Sequence, residues 1–299
     1  MTLYFTRWLK YILRFIPISA SAWTYKTLLS RKPLKKIADK IIKSVIPDRI
    51  NIEEGILTLN QNDVGVSGML ALGLYESYQT EIFRNHLKKG MIVVDIGANI
   101  GYYSIIAAKR VGEEGKVFAY EPENENLILL EKNIEINSFN NIIAIKVALS
   151  NQFGTSKLYL TEDNKGTHSL IDNRQTNNSV AVGTDTLDHS LEQFGFPKID
   201  LIKMDIEGAE ILALDGFKRV IDTSPNLIMF IEFYPNAIRR LKREPIELLN
   251  NLKELGFSIS VIDEDKKKLV PLVNFNKFID SFPKKTEVEK NLYVAKYNG

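Results

Sequence analysis

Short apolar runs separated by longer amphipathic stretches recur through most of this chain. Runs at 91–95, 116–120, 142–147, 199–204, 226–232, 257–262 and 291–297 have the length and the branched or aromatic content of strands. Between them, the spacing of apolar positions at 102–111, 124–137, 186–194, 208–221 and 244–255 predicts helices. Strands and helices alternating in this order predict an α/β fold, a doubly wound and mainly parallel sheet covered on both faces. One hairpin-like insertion, roughly 156–182, breaks the alternation, and its polar middle carries Gly166, Thr167, His168 and Ser169. Ahead of the first strand, 49–74 holds short strand-like pieces such as 56–59, and a helical pattern over 75–89 stops at Gly90.

The same pattern divides the chain into a basic amphipathic helical arm (1–48), an extension (49–90) and the sheet domain (91–299). In the arm, Arg7, Lys10 and Arg14 share a helical sector of about 60°, with Phe5, Trp8, Leu9, Ile12 and Phe15 on the other side. Pro17 ends that helix. A second such segment, 33–48, sets Lys35, Lys36, Lys40 and Lys43 among Leu34, Ile37, Ile41 and Ile42. Residues 1–49 hold eleven Lys or Arg against two Asp, a net +9, so the other 250 residues carry −7 of the chain's total of +2. This pattern fits peripheral contact with a membrane surface through residues 1–45, where anionic headgroups add roughly 1 kcal/mol per basic residue. It equally fits a helix packed on the domain or on a second copy of the chain, so self-association stays open. Ala20-Ser21-Ala22 has the look of a signal cleavage site, but the apolar core at 15–18 is too short for one. No stretch is long and apolar enough to span a bilayer. The expected location is cytoplasmic, at the inner face of the membrane if the arm binds lipid.

Composition narrows the chemistry. The chain has no cysteine and three histidines, His86, His168 and His189, far apart in sequence. That excludes thiolate sites and disfavours a multi-histidine centre, so no metal is expected. An oxygen-ligated Mg²⁺ at Asp205 and Glu207 stays open as a lesser alternative. The acidic sheet domain argues against a nucleic acid partner.

The most specific segment is Val93-Val-Asp-Ile-Gly-Ala-Asn-Ile-Gly-Tyr102. An apolar strand ends in Asp95, a turn carries Gly97 and Gly101, and a helix follows. Dinucleotide sites use G-x-G-x-x-G with helix N-terminal amides on a pyrophosphate. Here the middle glycine is missing, and no Lys or Arg lies between Asp95 and Ser104. A carboxylate loop of this kind suits a ligand bearing sulfonium and ammonium groups, which points to S-adenosylmethionine. The second strand ends in Glu121, 26 residues beyond Asp95, where a carboxylate can hold both hydroxyls of an adenosine ribose. Asp205 and Glu207 follow the fourth sheet strand, and Glu232 and Tyr234 close the fifth. In an open α/β sheet all of these fall on the rim where ligands bind, and that rim reads as an acidic pocket free of lysine.

These motifs together resemble the FkbM family of S-adenosylmethionine-dependent methyltransferases. The resemblance covers about 75–297: Tyr75-Glu76, Val94 to Ser104, Tyr120-Glu121-Pro122, Val182 to Asp188, Lys203 to Glu210, and Ile231-Glu232-Phe233. It implies the seven-stranded class I methyltransferase fold and methyl transfer, usually to a hydroxyl oxygen of a small molecule or glycan. It also implies that Asp95, Gly97, Asn99 and Gly101 hold the methionine end of the donor and Glu121 the ribose, with Glu76 assisting. Ala148, just past the third strand, is assigned by position to the adenine. For the catalytic base, Asp205 ranks first, beside Glu207, and His168 second. A nicotinamide oxidoreductase and a catalytically silent adapter remain as competing readings.

Overall fold

The computed structural model describes residues 32–161, 164–172, 178–283 and 287–296. The first amphipathic segment, up to Pro17, lies outside the described residues. β1 (Arg49–Ile52) and β2 (Gly55–Thr58) form an antiparallel hairpin of their own. β3 (Ile92–Ile96), β4 (Lys116–Tyr120) and β5 (Ile142–Ile145) run parallel as neighbours. The insertion forms a separate three-stranded sheet in which β8 (Ser179–Asp185) lies between β6 (Ala148–Leu149) and β7 (Gly154–Tyr159). β9 (Leu201–Met204) pairs with the other side of β3, and β10 (Ile228–Phe233) follows it, both parallel. β11 (Phe257–Asp263), β12 (Lys268–Pro271) and β13 (Lys290–Lys296) complete the main sheet, in the order β12-β11-β13-β10-β9-β3-β4-β5.

All seven expected strands are in this sheet, and β12 makes an eighth. It is hairpinned to β11 at the edge, with Ser260 opposite Pro271 and Asp263 opposite Lys268. Its connecting turn, Glu264 to Lys267, contains neither Gly nor Pro, so no turn signal announces it. The helix expected over 208–221 is two pieces, Glu210–Asp215 and Lys218–Thr223, parted at Gly216. Short helices at Met69–Leu72, Pro235–Arg240 and Phe275–Asp280 carry too few turns to leave a periodic trace.

The reversal of chain order falls between β3 and β9, and the carboxyl ends of these strands frame the cleft. Strand periodicity then sorts the side chains. Val94, Ile96, Ile202, Met204, Met229 and Ile231 join one buried cluster, while Val93, Leu201 and Phe230 join the cluster on the opposite face. Asp95, Lys203 and Glu232 each lie two residues further along, so they share that second face at the cleft end. The register sets Asp95 directly against Lys203.

The helix Lys32–Val45 follows one of the two readings left open for the second basic segment, packing on the domain. Its residues Ala38, Ile42 and Val45 are buried, and Ile42 packs in one cluster with Val64, Val66 and Leu70 of the extension. Ile41 of the same helix is exposed, so the domain takes up only part of its apolar side. No helix among the described residues is long and apolar enough to cross a membrane.

The extension is also tied to the sheet domain. Buried Asn133 accepts from the Thr58 amide at 2.7 Å and donates to the carbonyls of Thr58, at 3.2 Å, and of Ile100, at 2.8 Å. One side chain thereby links the β1–β2 hairpin, the helix Asn124–Ile136 and the loop after β3.

Candidate active site

The turn after β3 closes against the strand end beside it. Gly97 has φ +79°, and a Cβ there would lie 2.0 Å from the Asp205 carbonyl oxygen. We expect Gly97→Ala to destabilise the protein by about 2–4 kcal/mol, because strain and overlap with fixed backbone add. Urea unfolding with a midpoint matching wild type would refute this.

Asp95 is 2% exposed and accepts from Ser104 Oγ at 2.5 Å. Burial pushes its carboxyl up to about 6, against the lowering hydrogen bond from Ser104 and the charge of Lys203. Glu121 accepts from the backbone amides of Asn99, at 2.8 Å, and Glu123, at 2.9 Å. Burial takes its carboxyl to about 7. A carboxylate has about four lone-pair sites, so these bonds leave acceptor capacity for a ribose hydroxyl. Asn99 sits at φ 51° and donates through Nδ2 to the Lys165 carbonyl at 3.2 Å, which brings the insertion down over the loop. The Lys165 amide in turn donates to Asp63 at 3.0 Å. Glu76, half-buried and at φ 37°, accepts from Tyr103 Oη (2.8 Å), Gln79 (2.9 Å) and Asn291 (2.7 Å). A small pocket, partly open to solvent, is lined by Asp95, Gly97, Asn99, Tyr103, Lys203 and Asp205 among others.

Lys203 overturns the lysine-free reading of this rim. It is 1% exposed, donates from Nζ to Asp205 Oδ2 at 2.9 Å, and lies 5.1 Å from the centre of the Tyr103 ring. Burial alone would favour loss of its proton, but the charges of Asp205 and Glu76 more than offset that and hold it as an ammonium. A lysine inside an apolar strand, in register with Asp95, is the signal that the sequence reading passed over.

Beyond Lys203, one carboxylate oxygen from each of Asp205, Glu207 and Glu232 lies within 4.8 Å of the others. Glu207 has φ 58°, a left-handed conformation that costs a non-glycine residue of order 1 kcal/mol or more. Burial first, and then the neighbouring carboxylates, push Glu207 and Glu232 well above the usual range. Ser169 Oγ donates to the Glu207 carbonyl at 2.9 Å, so the insertion reaches this cluster too. Tyr234 gives its hydroxyl to Glu287.

His168 does not suit the role of base. Its Nδ1 accepts from the Thr161 amide at 3.0 Å, so the neutral ring carries its proton on Nε2 and has no lone pair left to receive another. Burial lowers its pKa to about 4, which keeps the ring neutral. Ala148 lies on β6 in a small cluster with Leu158 and Val182.

The donor set fits S-adenosylmethionine. Buried carboxylates face a space suited to a cation, and Glu121 keeps acceptor capacity for ribose hydroxyls. The sheet order and this rim are those of a class I methyltransferase. The Methyltransferase FkbM domain matches residues 95–259, more than half of the chain. The chain belongs to the FkbM methyltransferase family, and its methyl donor is S-adenosylmethionine.

Among characterised relatives, the methyltransferase sdnD of Sordaria araneosa is 27% identical over 216 residues, covering 60% of this chain and 81% of sdnD. The hexuronic acid methyltransferase AglP of Haloferax volcanii is 26% identical over 133 residues, 44% of this chain and 52% of AglP. Among solved structures, an FkbM methyltransferase from Methylobacillus flagellatus aligns over 89% of this chain and 60% of its own, at 14% identity and TM-score 0.41. A SAM-dependent O-methyltransferase from Thermotoga maritima aligns over 84% of this chain and 78% of its own, at 15% identity and TM-score 0.41. Family membership leaves no ground for the oxidoreductase alternative.

Proposed function

We propose that this methyltransferase acts on a hydroxyl oxygen of a polyhydroxylated acceptor, a sugar in the first instance. The observation that carries the reading is the cluster of Asp205, Glu207 and Glu232 beside the donor loop. Carboxylates accept several hydroxyl hydrogen bonds and can take the proton that an O-methylation must shed. S-adenosylmethionine supplies an activated methyl group, so the protein's task is to align the acceptor oxygen and remove that proton. Asp95, Gly97, Asn99 and Gly101 hold the methionine end, with Glu76 behind them, and Glu121 holds the ribose. Asp205 is the first candidate for base, held in place by Lys203, with Glu207 its neighbour. The hydroxyl proton passes to the carboxylate, an oxygen lone pair forms the new O–CH₃ bond, and the S–CH₃ electron pair stays on sulfur. The similarity to AglP supports a sugar acceptor.

The test is transfer from radiolabelled S-adenosylmethionine to a panel of neutral and acidic sugars, free and lipid-linked. The lipid-linked arm of the panel is included because of the basic segment ahead of Lys32. The expected product is an alkali-stable methyl ether. Label recovered only on nitrogen would overturn the reading.

A further inference from the structure

We propose that Asp205, Glu207 and Glu232 hold a divalent cation. The inference rests on the hydroxyl-acceptor reading above, which it deepens by giving the acceptor oxygens something to bind. Three oxygens around a single Ca²⁺ sit at 2.3–2.6 Å from it, so they can lie no more than about 5 Å apart. The three carboxylates here satisfy that limit, with every pair within 4.8 Å. They come from two different segments: Asp205 and Glu207 from the turn after β9, and Glu232 from the end of β10. Convergence of this kind is a product of the fold and not of one acidic run.

A second observation is independent of that spacing. Glu232 is 6% exposed, and its Oε2 is buried with no hydrogen-bond partner among the described residues. A buried carboxylate oxygen without a donor costs about 1–3 kcal/mol or more unless something cationic or protic meets it. Lys203 cannot do so for the whole group, because its described hydrogen bond goes to Asp205. Glu210 adds to the imbalance. Its Oε1 accepts from the amides of Ile206 and Gly208, at 2.9 and 3.2 Å, while its buried Oε2 is likewise unpartnered. Oxygen ligands without histidine or cysteine select a hard cation such as Ca²⁺, Mn²⁺ or Mg²⁺. A cation here would also lower the negative charge of the pocket by two, admitting acceptors that carry a carboxylate.

The experiment titrates the full chain with Mn²⁺, Ca²⁺ and Mg²⁺ alone by calorimetry, and with Tb³⁺ by luminescence excited through tyrosine. Tyr75, whose hydroxyl feels the charges of Asp205 and Glu232, is the expected sensitiser. One ion per chain is expected, with affinity reduced at least about tenfold in Glu232→Gln and in Glu207→Gln. Binding of S-adenosylmethionine and the circular dichroism spectrum, measured on both variants, report whether the fold survives. Glu207 is half-buried, so its variant serves if Glu232→Gln does not fold. Absence of ion binding, or binding unchanged in the folded variants, overturns the cation site. If no ion binds and methyl ether is still formed at full rate in chelator, the site falls and the hydroxyl-acceptor reading stands. Ion binding that responds to both variants, with label delivered only to nitrogen, has the opposite meaning.

Discussion

Asp205→Asn should lower kcat by about 10²–10⁴-fold, the usual contribution of a positioned base. The side chain volume is retained, and Lys203 can still donate to the amide oxygen, so the loss should not come from collapse of the pocket. Affinity for S-adenosylmethionine should change far less than kcat, because Asp205 meets the donor loop through its backbone, against Gly97. The measurement is steady-state turnover with the best acceptor from the sugar panel, alongside calorimetric titration of the donor. Turnover equal to wild type removes Asp205 from the base role. If the cation site is real, the same variant also binds Mn²⁺ more weakly. Restoration of turnover by saturating Mn²⁺ would then assign Asp205 to metal ligation.

Asp95→Asn should weaken donor binding by about 10²-fold or more, the scale on which a buried charge loses its partner. The pH dependence makes this specific. The donor's cationic groups favour the ionised carboxylate, so wild-type affinity should rise with pH through Asp95's value of about 6. Glu121, at about 7, extends that rise upward, since its ionised form accepts more hydrogen bonds from the ribose. Between about pH 5 and 7 the Asn variant should lose the lower part of this dependence. Stability of the free protein has the opposite sign. Both carboxyls are raised in the folded state, so folded protein binds more protons than unfolded protein between the ordinary carboxylate range and 6–7. Their contribution is complete below that window and is lost as pH rises through it. Donor affinity that is flat from about pH 5 to 8 in wild type would exclude Asp95 from contact with the cation.

The strands were legible because buried parallel strands write themselves as apolar runs. β12 was not, since an edge strand with two apolar residues, Leu269 and Val270, needs no such run. The family was legible in part from the loop of Asp95, Gly97 and Gly101, which lacks the middle glycine of a dinucleotide site. Lys203 could have been found by counting in twos from Leu201, as Asp95 follows from Val93 and Glu232 from Phe230. His168 is a different case. Its residue type suggests a base, but the proton's position depends on an amide, Thr161, that the folded insertion brings against it.

By itself, the amino-acid sequence determined the α/β class, the methyl donor and the family, because each is written in local spacing and residue type. Tertiary structure decided which charges became neighbours. Register set Lys203 against Asp95, and the adjacency of β9 and β10 drew Asp205, Glu207 and Glu232 into one cluster. It also packed Ile42 of the Lys32–Val45 helix against the domain. Those outcomes depend on strand order and packing between segments far apart in the chain, which no local pattern records.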